Sequence, residues 1–181
     1  VLTLLYQSDL TYKELHKPFQ LGLDWILSMQ CSDGGFAAFD KNNNLELLNK
    51  IPFSDHGACL DPATVDITGR VIEFLIKICQ FEKKSSVINR AADFMINNQE
   101  KDGSFWGRWG VNYIYGTWCA LGGLGSLNRP KDKLAIQRAV KWFKDIQNPD
   151  GGFGETCHSY IKNQYLPLGH STASQTAWAL M

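Results

Sequence analysis

The sequence predicts an all-α chain in which paired helices, joined by short turns, build an arc of an (α/α) toroid. Three observations carry this: a motif repeated three times, an Asp-Gly turn at the same place in each copy, and apolar residues at helical rather than alternating spacing. The first copy is Gly22, Trp25, Ile26, Gln30, Gly34, Phe36. The second is Arg90, Ala91, Phe94, Met95, Gln99, Gly103, Phe105, and the third Arg138, Ala139, Trp142, Phe143, Gln147, Gly151, Phe153. Each reads as the end of a helix, where glycine accepts the left-handed conformation that stops it. The Gln can serve backbone groups left without partners there, and the next aromatic can cover it. These positions are therefore expected to clip one helix to the next.

Along the chain, residues 4–16 give no decided pattern and residues 40–60 read as loop. Asp61-Pro62 reads as a helix start, with Asp as cap and Pro in the first position, leading to Gln80. Val65, Gly69, Ile72 and Ile76 would share one face of that helix. Residues 114–124 read as an apolar inner helix containing glycine. A last helix opens at Ser171 or Thr172, with Gln175 placed to complete the cap.

The charges balance, 18 basic against 18 acidic residues, so nothing marks a nucleic-acid partner. A hydrophobic fraction of 44% fits a chain with a real core, and no apolar run reaches the roughly 20 residues that span a bilayer. The five cysteines form no C-x-x-C pair and sit in or beside apolar stretches, which favours reduced thiols in a cytosolic setting. The four histidines show no metal-ligand spacing with them. The chain begins at Val1 and stops within TAWALM, so an internal piece of a longer protein is expected.

Residues 102–118, DGSFWGRWGVNYIYGTW, concentrate aromatics among glycines. Such a stretch fills a core or lines a pocket. In the second case its ring faces, negative in potential, can hold a cation.

The three repeats resemble the QW motifs of the squalene cyclase family, with Phe where the family usually has Trp. The resemblance extends through GGFAAFDKNNN, IPFSDHGACLDPATVDITGRV, GRWGVNYIYGT, NPDGGFGETCHSY and STASQTAWALM, and its details are closer to the bacterial squalene–hopene type than to the eukaryotic oxidosqualene type. It implies an (α/α) barrel enzyme, without metal or organic cofactor, that takes squalene from one membrane leaflet. The enzyme would be monotopic on the cytoplasmic side of the cell membrane, with a homodimer possible. A D-x-D-D acid would protonate an alkene, and aromatic walls would guide ring closure to a hopanoid. No D-x-D-D occurs in these 181 residues, and the resemblance places it before Val1.

Carried across, the resemblance implies that Trp109 and Tyr115 belong to the aromatic pocket and Asp66 to the network behind the acid. Arg70 would hold a cation against the acid. Asp66 and Arg70, four apart, can pair on one helix face. Phe39 stands where the bacterial pattern has Tyr, keeping the ring without the hydroxyl and leaving the product open. Phe53 and Ser54 match a constriction of the substrate channel. Oxidosqualene and class II diterpene cyclases, a zinc prenyltransferase toroid and a non-catalytic helical-repeat scaffold are the competing readings.

Overall fold

The computed structural model describes residues 13–45 and 60–181. They form helices α1 (Lys13–Ser28), α2 (Val65–Lys77), α3 (Ser86–Asn97), α4 (Tyr113–Leu127), α5 (Lys133–Ile146), α6 (His158–Lys162) and α7 (Ala173–Leu180), with a short 3-10 turn at Pro130–Asp132. Among the described residues there is no β-strand, only isolated bridges. No described helix is long and apolar enough to cross a membrane.

The helices make two layers. In the inner row, α4 packs against α2 on one side and α7 on the other, while α3 and α5 lie outside. Helix α1 joins the outer layer through Leu23, Ile26 and Leu27, which pack on the core around Ile72, Leu75, Ile88, Met95 and Leu124. Inner α4 is apolar all round, and nine of its residues are buried, as a helix covered on several sides requires. The α2–α4 crossing is set by missing atoms. A Cβ on Gly69 would lie 2.3 Å from the Cys119 carbonyl oxygen, and one on Gly123 2.8 Å from that of Gly69.

All three repeat turns have the expected form. Gly34, Gly103 and Gly151 have φ of +99°, +101° and +84°, and Asp33, Asp102 and Asp150 each accept the N–H two residues on at 2.9 Å. The Gln residues are the clips. Gln30 Nε2 donates to the carbonyls of Gly34 (2.9 Å) and of Val87 in the first turn of α3 (2.8 Å). Gln99 repeats this with Gly103 (2.9 Å) and Ala135 in the first turn of α5 (2.8 Å). Arg90 and Arg138 reach back from those outer helices to carbonyls of the preceding turn. In the third repeat, Gln147 donates to Gly151 alone among the described residues.

One regularity escaped the sequence. The N–H of each buried repeat Phe, at positions 36, 105 and 153, is accepted by a threonine hydroxyl of the inner row: Thr68 (2.9 Å), Thr117 (2.9 Å) and Thr176 (3.0 Å). Each pair ties an outer-helix turn to its inner helix.

The helix expected from Asp61 begins later, at Val65, with Thr64 in the extended N-cap position, and ends at Lys77. Asp61 does not cap it, because its carboxylate is taken up by amides of another segment. The last helix starts as expected, with the Thr172 hydroxyl accepting the N–H of Gln175 at 3.3 Å.

Candidate functional site

The stretch 102–118 divides between core and surface. Phe105 and Tyr113 are buried, whereas Trp109 is 46% exposed at the tip of the loop before α4. Phe39, 69% exposed, meets Trp109 edge to face, with ring centroids 5.5 Å apart and planes at 86°. Two large rings packed on each other and turned outward make a small aromatic wall.

Each ring is held from behind through its backbone. The buried carboxylate of Asp61 accepts the N–H groups of Ala38 (3.3 Å), Phe39 and Asp40 (2.7 Å). Asp66, fully buried in the first turn of α2, accepts the Trp109 N–H on Oδ2 at 2.8 Å. Its Oδ1 accepts the Thr64 hydroxyl (2.5 Å) and the Ile67 N–H (2.9 Å). Position near a helix N-terminus favours this carboxylate. The Tyr160 hydroxyl brackets the Trp109 loop, its one proton shared between the carbonyls of Gly110 (2.5 Å) and Arg108 (3.1 Å). Burial, with the charges of Asp66, Glu155 and Cys157, pushes that phenol up to about 12, so it remains a donor. Arg108 lies over the Trp109 ring, 5.7 Å from its centroid, and donates to the Leu60 carbonyl at 3.0 Å.

Tyr115 stands in a second aromatic group. Its ring lies 5.6 Å from Trp118 and 5.0 Å from Trp178, and Trp118 and Trp178 are stacked. Burial and the charges of Cys119 and Asp66 raise the Tyr115 phenol, and burial with Asp66 pushes the neighbouring Cys119 thiol up to about 12. Glu155, itself buried, sets the helix that carries Tyr115. Its carboxylate accepts the N–H groups of Asn112 (2.9 Å), Tyr113 (3.1 Å) and Ile114 (2.9 Å), capping α4 from a distant loop. Gln175 in turn grips the Glu155 backbone through both ends of its amide.

With this arrangement in view, residues 2–181 match the family model of the squalene-hopene cyclase C-terminal domain. The chain belongs to the squalene–hopene cyclase family. It is 51% identical over 165 residues to the squalene–hopene cyclase of Zymomonas mobilis, a match covering 88% of this chain and 24% of that protein. It is 46% identical to the sporulenol synthase of Bacillus subtilis, over 91% of this chain and 27% of that protein. With the dammaradiene synthase of Dryopteris crassirhizoma it shares 42% identity, over 87% of this chain and 26% of that protein. The chain thus spans about a quarter of the length of the curated relatives it matches.

Of the residues singled out from the sequence, Phe39, Trp109 and Asp66 come together. Arg70 does not join Asp66. Its guanidinium pairs with Glu73 at 2.5 Å and lies 4.9 Å from the Trp118 ring centroid. The reason is supply of acceptors: Asp66 is fully engaged by Thr64, Ile67 and Trp109, while Glu73, one turn along the exposed side, also receives Lys77. Phe53 and Ser54 lie outside the described residues. Among the described residues, cavities of about 440 and 400 Å³ open beside α2 and α4, and neither is lined by Phe39 or Trp109.

Proposed function

We propose that this chain is part of a triterpene cyclase of the squalene–hopene type, and that the Phe39–Trp109 pair is one wall of the cavity in which the polyene closes. The edge-to-face pair, presented outward while Phe36, Phe105 and Phe153 of the repeats are buried, carries this reading. In the reaction a strong acid adds a proton to a terminal alkene, each ring closure moves the positive charge inward, and loss of a proton or capture of water ends the sequence. The protein must hold fixed negative potential beside those cations and keep water out. Ring faces supply that potential at roughly 0.5–2 kcal/mol each. The carboxylates of Asp61 and Asp66, buried behind the wall, add to it.

Tyr115, in its own cluster beside Asp66 and Arg70, would serve the proton-transfer end. The protonating acid, the remaining walls, a seat in one membrane leaflet and a second subunit belong to the whole protein. The apolarity of squalene and the family of the chain support them. Squalene as substrate and a hopanoid as product are part of this proposal, and the differing products in the names of the relatives make the product the more open point.

The test is to incubate the full-length protein containing this chain with squalene and analyse the products by mass spectrometry. Cyclised triterpene from the wild type, and its loss or early termination in Trp109→Ala, is expected. A full-length protein that returns squalene unchanged, yet cyclises oxidosqualene or a diterpenyl diphosphate, would replace this reading.

A further inference from the structure

Asp61 sits in none of the helices, and its carboxylate does not cap α2, the task that sequence position offers it. Instead it faces the segment 38–40 and takes three consecutive backbone N–H groups, among them that of Phe39. It is 5% exposed, and its own N–H donates to the Asn43 carbonyl at 2.9 Å, so both its backbone and its side chain close the same loop. Asp66 treats Trp109 in the same way from the other side. The two holds are joined, since Arg108 lies over the Trp109 ring and donates to Leu60, the residue before Asp61. Phe39 and Trp109 are exposed rings, 69% and 46%, that pack on each other, with Arg108 over the second. Their angle must then be fixed mainly through the backbone, and charge-assisted bonds to buried carboxylates are the strong way to do so.

We infer that Asp61 is a positioning residue that sets the Phe39 ring against Trp109, completing with Asp66 a two-carboxylate clasp behind the aromatic wall. It touches no reacting atom and acts through the backbone of Phe39. In Asp61→Asn one carboxylate oxygen becomes an N–H₂ donor facing N–H groups, so the bonds to segment 38–40 cannot all persist. The ring would drift, and misplacement of about an ångström costs up to about 100-fold in a reaction governed by orientation.

The inference rests on the cyclase reading, and its test is built so that the two fail separately. In the full-length protein labelled with 5-fluorotryptophan, the Trp109 resonance is assigned by its loss in Trp109→Phe. Asp61→Asn should move or broaden that resonance, while Thr68→Val, which breaks the equivalent bond to the buried Phe36, should leave it in place. With squalene as substrate, Asp61→Asn should raise the ratio of early-terminated to complete products by roughly 10-fold. Phe39→Leu should do the same, and the double variant should go no further. If Asp61→Asn does not fold, Asp61→Glu, which keeps the charge but displaces it by one methylene, is read in its place for the same two shifts. An unmoved Trp109 resonance, or a product ratio equal to wild type beside a lowered Tm, overturns the inference. If the wild type cyclises nothing, the cyclase reading falls, and the fluorine signal still decides whether Asp61 sets the wall.

Discussion

Two sets of aromatic rings in this chain are held by the same kind of bond for different ends. Phe36, Phe105 and Phe153 are buried, and the N–H of each is accepted by a neutral threonine hydroxyl. Phe39 and Trp109 are exposed, and the N–H of each is accepted by a buried carboxylate. Where packing surrounds a ring, packing fixes it, and the hydroxyl only satisfies an amide that would otherwise be buried alone. Where a ring must stand free to meet something else, its backbone has to carry the order, and a charged acceptor does this more firmly.

The comparison breaks most visibly if the rings themselves are removed. Phe105→Ala, in the core, should cost about 3–5 kcal/mol in urea unfolding, whereas Trp109→Ala should cost about 1 kcal/mol or less while abolishing complete cyclisation. Equal losses of stability would erase the distinction. The clips offer a finer contrast. Gln99→Ala removes two hydrogen bonds to carbonyls and a third that Gln99 accepts from Arg138, and should cost about 2 kcal/mol, against about 0.5–1 kcal/mol for Gln147→Ala, which removes one exposed bond. Thr117→Val, leaving the Phe105 N–H unpaired, should cost about 1–2 kcal/mol and leave the products of the full-length enzyme unchanged.

The smallest effect is one of pH, confined to the outer layer. Burial nudges the Asp93 carboxyl upward, but the hydrogen bond and charge of Lys131, with those of Arg129, outweigh it and hold the carboxyl below its ordinary value. A lowered carboxyl stabilises the fold above its unfolded value, near 4, and the benefit fades as pH falls through the lower folded value. Asp93→Asn should therefore flatten the fall in Tm below about pH 4, modestly, because the pair is half exposed and screened by salt. An unchanged acid limb would show that this ion pair contributes nothing.

The repeat turns were legible because everything they need lies within about ten residues: the helical stripe, the Gln, the Asp-Gly turn and the following Phe. The threonines were not, because Thr68, Thr117 and Thr176 stand 32, 12 and 23 residues from the Phe they serve, and a partner at changing distance leaves no frame to detect. Asp61 shows the opposite error. Asp before Pro is a sound local signal for a helix cap, yet three amides from a segment over 20 residues earlier claimed the carboxylate. The Asp66–Arg70 spacing likewise permitted a pair that competing partners prevented. Glu155, which caps α4 from more than 40 residues away, had no local mark at all.

The clips also impose an order on synthesis. Gln30 leaves the ribosome long before its acceptor Val87, 57 residues later, and at about 5–20 residues per second that interval is roughly 3–11 s. For that time the first turn relies on its local bonds, those of Asp33, of Gln30 to Gly34 and between Cys31 and Gly35. Gln99 waits for a shorter length, 36 residues, so the second joint should close in less time than the first. Slow codons placed between residues 30 and 87 would lengthen the period before Gln30 meets the Val87 carbonyl, and nascent-chain yield should be more sensitive there than anywhere after Ala135.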